Sequence, residues 1–237
     1  MKIYECDQGS DEWKELHMGR PSASQFHRIL TPAKGELAAG RWTYAFELVV
    51  ERLLKETKHG LTGLYWPERG KLLEVDAVRH YEFVHSCRTA KVGFITPDHG
   101  LWGCSPDRLM VEEVGALELK CPSPEKHVEY FYQGPGKDYR CQVQGSLMIT
   151  GFPWWDFMSY HPNLPDALYR FERDDEFIDK LHKALAQFCQ EVDNIEKKVR
   201  DAGFISTVQQ YDEGYGEIMR SDMNAAGAIM DKQNWGG

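Results

Sequence analysis

Apolar positions along the chain change their period several times, and each change predicts a different kind of element. "SDEW" (10–13) reads as an N-cap serine followed by acids in a first helical turn, and a second short helix is predicted from Ser22 to Leu30. Pro32 and Gly35 open a loop. "RWTYAFELVVERLLKE" (41–56) places Tyr44, Leu48, Val49, Leu53 and Leu54 at helical spacing, and "GKLLEVDAVRHYEFV" (70–84) does the same with Leu73, Ala77, Val78 and Tyr81. Both predict amphipathic helices resting on the core.

The middle of the chain reads differently. "KVGFIT" (91–96), "LWGCS" (101–105) and "GALELKC" (115–121) are short and apolar, and "PDHG" and "VEEVG" between them are turn signals, so three neighbouring strands in a meander are predicted. Helical spacing returns in "KDYRCQVQGSLMIT" (137–150), stops at Gly151 and Pro153, and gives way to two more strands in "WWDFMSYH" and "ALYRFERD". "DEFIDKLHKALAQFCQEVDNIEKKV" is a long helix with an apolar face through Phe177, Leu181, Leu185, Phe188 and Val192. From Asp201 the chain is rich in glycine and poor in periodic hydrophobics, which sets 201–237 apart as a loosely packed C-terminal extension of a domain covering 1–200.

Composition narrows the class. With 237 residues, 42% of them hydrophobic, the chain can build one sizeable core. Its 37 acids outnumber 28 bases for a formal net charge of -9, so nothing global points to nucleic acid and any DNA contact must be local. No run approaches the roughly 18 apolar residues of a membrane span, and the first residues lack the apolar centre of a signal peptide. A soluble, intracellular protein of the cytoplasm, with no membrane partner, is the expectation. The six cysteines, at 6, 87, 104, 121, 141 and 189, form no C-x-x-C pair and are expected mostly as small core residues.

One stretch resists the apolar pattern. "GCSPDRLMVEEVGALELKCP" (103–122) sets Asp107 just past one predicted strand, then Glu118 and Lys120 on one face of the next with Leu119 opposite. Buried charges are costly unless paired, so the three either neutralise one another or hold a cation. Two carboxylates and the Leu119 carbonyl are hard oxygen donors suited to Mg2+ or Mn2+, and Lys120 beside them would orient or deprotonate an attacking water. E-x-K spacing alone decides nothing, because Glu12-Trp13-Lys14 and Glu196-Lys197-Lys198 share it on segments predicted to be helical and solvated. From these residues alone, metal-dependent phosphodiester chemistry and a structural salt bridge both stay open.

Pro106-Asp107 followed by Glu118-Leu119-Lys120 resembles the PD-(D/E)xK nuclease signature, and "CSPDRL...LELKCP" resembles its phage lambda exonuclease type, the YqaJ-like viral recombinase family. "GSDEWKELHMGRPSASQFHRIL", "RGKLLEVDAVRHYE" and "YRCQVQ" follow in the family's order, so the resemblance covers roughly residues 4 to 195. It implies an α+β restriction-endonuclease-like fold with a central mixed β-sheet flanked by helices. It also implies metal binding by Asp107, Glu118 and the Leu119 carbonyl, with Glu74 near a second ion and Lys120 positioning the water. Gln142 and Tyr139 match the family's Y-x-x-Q element, and Ser24 and Ser105 its hydroxyls on a terminal 5'-phosphate. The arginine the pattern places after W-x-x-L is His17 here, which leaves Arg20 or Arg28 for that contact. Trp13 matches as well, and Trp66, beside Tyr65, is a candidate to stack or split bases.

The activity so implied is a Mg2+-dependent exonuclease, Mn2+ serving as substitute. It digests one strand of double-stranded DNA from the 5' end, releases 5'-mononucleotides and leaves a 3' single strand. The implied partners are DNA ends, a phage-type single-strand annealing protein, and copies of the chain in a homotrimeric ring. An endonuclease of the same fold, or a non-catalytic module that binds DNA ends, is the alternative.

Overall fold

The computed structural model describes residues 1–55 and 65–203, apart from the side chains of 65–72 and 138. A short strand, β1 (Lys2–Tyr4), leads to helix α1 (Asp11–His17). Its N-cap is Ser10, whose hydroxyl accepts from the Trp13 N–H at 3.2 Å, and Asp11 and Glu12 favour the positive end of the helix dipole. The helix predicted at Ser22 forms as a 3-10 segment, Ala23–Arg28, and Ser22 makes no side-chain cap to it. Its buried residues, Ala23 and Phe26, lie three apart, the spacing that a three-residue turn puts on one side.

Helix α2 (Arg41–Leu54) buries Tyr44, Ala45, Leu48 and Val49. Leu54, expected on that face, is instead exposed, because it continues the four-residue row of Trp42, Phe46 and Val50 on the opposite side. Helix α3 (Tyr65–His85) buries Ala77, Val78 and Tyr81 as the spacing predicted.

The three-strand meander is not what forms. After β2 (Thr89–Ala90), the 91–96 segment yields β3 (Phe94–Thr96), which pairs antiparallel with β1 in a separate two-stranded sheet. The 101–105 segment makes only isolated bridges, Ile95 to Cys104 and Ser22 to Gly103. Its apolar character serves packing: Trp102 and Cys104 are buried, and a Cβ on Gly103 would come within 2.2 Å of the Phe94 ring. The antiparallel partner of β5 (Gly115–Lys120) is β4 (Arg108–Met110), a stretch with no alternating signal.

Helices α4 (Pro124–Gln133) and α5 (Asp138–Thr150) cross over to β6 (Trp154–Ser159), which pairs parallel with β5, and β7 (Ala167–Glu172) closes the edge. The order β2-β4-β5-β6-β7 is a mixed sheet with helices on both faces, an α+β architecture as expected. Leu117 and Leu119 of β5 pack with Ala77, Val78 and Tyr81 of α3, while Ala116 packs with Val143 and Leu147 of α5. Cover on both faces explains why β5 and β6 read as near-continuous apolar runs. Helix α6 (Asp175–Asp201) buries Phe177, Leu181, Leu185, Phe188 and Val192, as its spacing predicted.

The chain divides into compact units Met1–Ile195 and Glu196–Gly237, the division falling inside α6; residues from 204 lie outside those described. Among the described residues no helix is long and apolar enough to cross a membrane. None of the six cysteines is in a disulfide. Cys104, Cys141 and Cys189 are buried in the core, Cys87 and Cys121 are half-buried and pack against it, and Cys6 is half-buried outside these clusters, so most of them serve as core residues, as expected.

Candidate active site

The β4–β5 hairpin assembles the charged cluster. Its register pairs Arg108 with Leu117, so one step back sets Asp107 across from Glu118. Asp107 accepts the Leu119 N–H on Oδ2 at 2.6 Å. Glu118 is buried, and its Oε1 accepts from Gln142 Nε2 of α5 at 2.8 Å and from the Lys120 ammonium. Strand alternation, with Leu117 and Leu119 drawn into the α3 layer, sends Glu118 and Lys120 to the α5 side where Gln142 waits. Four of the predicted residues, Asp107, Glu118, Lys120 and Gln142, thus converge from segments up to 35 positions apart.

Burial, and next the Glu118 charge, push the Asp107 carboxyl up to about 7, with Lys120 and the Leu119 N–H pulling the other way and Glu74 adding a smaller push. Burial disfavours the Lys120 ammonium, but Glu118 and Asp107 outweigh it and raise its pKa above the usual value. An ammonium held by these two carboxylates can donate to a water, the orienting role expected of Lys120, while a cation shared by the same carboxylates would weaken their hold on its proton.

The donor set fits one hard cation. Two buried acids that repel each other gain most from a positive ion between them, and each keeps one oxygen unused by the bonds above. The Leu119 carbonyl leaves the strand on the same edge as its N–H, toward Asp107. Among the described residues no three acids, histidines or cysteines stand close enough together to hold a metal, so Glu74 is not drawn into the pair.

Two cavities meet at this cluster, and Gln8 lines both. The first, of about 450 Å³, has Glu118, Lys120 and Gln142 in its wall together with Trp13, Arg20, Ser24, Arg28 and Ser105. The second, of about 550 Å³, contains Asp107, Glu74 and Arg108. Tyr139 lines neither, but the Lys120 ammonium lies over its ring, 5.8 Å from the centroid; its hydroxyl pairs with that of Tyr130 at 3.1 Å, and it borders a smaller cavity together with Ser24 and Gln142. Trp66 lies on α3 with its side chain outside the described residues.

Within the first cavity the predicted contacts differ in how free they are. Ser24 is exposed and pairs with the Ser22 hydroxyl at 3.2 Å. Ser105 accepts from Trp13 Nε1 at 3.0 Å and lies 3.4 Å from His17 Nε2, so the indole N–H of Trp13 is spent within the cavity wall. Arg20 donates to the Gly100 carbonyl at 2.8 Å and to that of Leu16, and Arg28 is paired with Glu47 at 2.7 Å. Both arginines face the cavity with their guanidinium groups already engaged.

Sequence reasoning missed two residues here. Gln8 donates to the carbonyls of Val92 and Pro106, at 3.1 and 2.9 Å, and so ties down the backbone next to Asp107; nothing in the local pattern announces it. Arg108 follows Asp107 into a half-buried strand, and a charge in such a strand is the same signal that exposed Glu118.

The model of the YqaJ-like viral recombinase domain matches residues 12–153. The fold superposes with TM-score 0.72 on an alkaline exonuclease, LHK-Exo, from Laribacter hongkongensis, at 30% identity over 81% of this chain and 97% of that one. A second structure of that protein, in complex with dAMP, matches at 29% identity over the same shares, also with TM-score 0.72. A phage related exonuclease from Haemophilus somnus 129PT shares the fold, with TM-score 0.62 at 15% identity over 78% of this chain and 99% of that one. No curated protein sequence matches the chain. The sheet, its flanking helices and these neighbours make the fold the PD-(D/E)xK type, and the chain belongs to the family of YqaJ-like viral recombinase domains.

Proposed function

We propose that the protein is a divalent-metal-dependent exonuclease that degrades one strand of linear duplex DNA from its 5' end, releasing 5'-mononucleotides and leaving a 3' overhang for strand annealing. The observation that carries this reading is the convergence of Asp107, Glu118, Lys120 and Gln142 between two cavities, the last three in the wall of one large enough for a nucleotide and Asp107 in the wall of the other. Family membership and the alkaline exonuclease neighbour support a nuclease; polarity and product rest on the motif resemblance.

Asp107, Glu118 and the Leu119 carbonyl would hold Mg2+, with Mn2+ as substitute and Glu74 the remaining acid for a second ion. A bound ion supplies Lewis-acid stabilisation of the phosphoryl charge and a more acidic water. Lys120, kept protonated, donates to the attacking oxygen and offsets its charge. Gln142 fixes the Glu118 carboxylate through its 2.8 Å bond, and Gln8 fixes the chain before Asp107. Ser24 and Ser105, which line the same cavity, would donate to a terminal phosphate. Arg20 and Arg28 lend it positive charge although their hydrogen bonds are largely committed.

The test is digestion of linear duplex carrying 5'-phosphate or 5'-hydroxyl ends in Mg2+, with Lys120→Ala alongside. Selective loss of the phosphorylated strand, slowed at least a hundredfold in the variant, is the expected result. Equal cutting of closed circular DNA would replace this reading with an endonuclease, and no cutting at all would return the cluster to a structural ion network.

A further inference from the structure

Arg108 is a cation that the bonds within the site leave unspent. It follows Asp107 directly, lies half-buried on β4, and lines the second cavity beside Asp107 and Glu74. Its Nε is fully buried with no hydrogen-bond partner, and among the described residues no carboxylate pairs with its guanidinium. Arg20 and Arg28, in the first cavity, are by contrast tied to backbone carbonyls and to Glu47. Taking an arginine N–H out of water without a partner costs stability, and folding offers no return for that cost here.

We infer that Arg108 binds a phosphodiester of the substrate strand, the one following the linkage that is cut. This rests on the nuclease reading above. With the strand's end in the first cavity near Ser24 and Ser105 and cleavage at the wall formed by Asp107 and Glu118, the rest of the strand continues into the second cavity. That cavity is acidic, with Glu5, Asp7 and Glu74 around Asp107, so a phosphate entering it needs fixed positive charge. Arg108 supplies that charge at the point nearest the scissile linkage, and its planar fork suits two phosphate oxygens. Lys91, exposed on the rim, adds a second, weaker attraction.

The experiment measures binding of 5'-phosphorylated linear duplex in Ca2+, chosen to slow cutting, across a salt series for wild type, Arg108→Met and Arg108→Lys. Arg108→Met should bind roughly tenfold more weakly, with the salt slope reduced by about 0.9, and Arg108→Lys should recover part of the loss. A duplex with an uncharged methylphosphonate at the linkage after the scissile one should weaken wild type by a similar factor and leave Arg108→Met unchanged. The Tm of Arg108→Met should equal or exceed that of wild type, because the buried unpaired donor is gone. Unchanged affinity, an undiminished methylphosphonate penalty in the variant, or a Tm lowered by several degrees would each overturn the inference. Failure of wild type to digest duplex in Mg2+ would strike the nuclease reading itself, a result separable from these.

Discussion

At Asp107, stability and chemistry pull in opposite directions. The carboxyl is pushed up to about 7 from 3.8, chiefly by burial and then by Glu118, so the folded chain holds more protons than the unfolded chain between those values. Its contribution to stability is full below the lower value and is lost as pH rises through the upper one. Asp107→Asn deletes the buried charge, so at pH 8 without divalent ions the variant should be more stable than wild type by on the order of 2 kcal/mol, a rise of several degrees in Tm. Its nuclease activity should vanish. Adding Mg2+ should raise the wild-type Tm, by relieving the same repulsion, and leave that of the variant where it was. Calorimetry with and without the ion reads both effects, and a variant less stable than wild type at pH 8 would show that the carboxylate is not strained.

At the scale of elements, the site depends on how closely the 3-10 segment Ala23–Arg28 lies on α5. That contact brings Ser24 and Arg28 to the same cavity as Gln142. Gly145 permits it: an added Cβ would come within 2.4 Å of the Phe26 ring, which is fully buried and has nowhere to go. Alanine in mid-helix normally gains about 0.5–1 kcal/mol over glycine, but overpacking of this kind costs about 1–3 kcal/mol. Gly145→Ala should therefore lower Tm by a few degrees and reduce cleavage of 5'-phosphorylated ends more than end-independent DNA binding. A stabilised, fully active variant would mean that the segment shifts freely. Elsewhere a buried polar network secures the central strands: Asp156 of β6 accepts from Tyr81 at 2.6 Å and from Arg170 at 2.8 and 2.9 Å, and Arg170 stacks on Trp154.

For the molecule as a whole, the question is how a chain of net charge -9 acts on a polyanion. Lys120, Arg20, Arg28 and Arg108 line the two cavities, but acids match the bases in the first and outnumber them in the second, so the cavities of one chain do not by themselves reverse the sign. A homotrimeric ring with a basic lumen and an acidic exterior would reconcile the sign, because the field near the DNA then differs from the field of the total charge. Light scattering on the purified protein should return three times the 27.4 kDa of the chain. A monomer across a concentration series would rule the ring out.

Periodicity determined the helices α2, α3, α5 and α6 and the strands β5, β6 and β7, because burying one face writes a 3.6- or two-residue rhythm or a continuous apolar run directly into the residues, whereas α1, which buries no residue, was legible from its Ser10 cap and first-turn acids. The charged trio was legible for the opposite reason: Asp107, Glu118 and Lys120 break the rhythm of a buried hairpin, and the motif they form led to the family. Pairing was not legible. Backbone hydrogen bonds carry no side-chain signature, so nothing local announced that β3 joins β1, or that "RLM" rather than "LWGCS" borders β5. The same holds for contacts that the fold brings together across long separations. Only the tertiary structure could put Gln142 on Glu118, tie Gln8 to the chain beside Asp107, and leave the buried Nε of Arg108 without a partner among the described residues, since each depends on packing from distant segments rather than on neighbours in the chain.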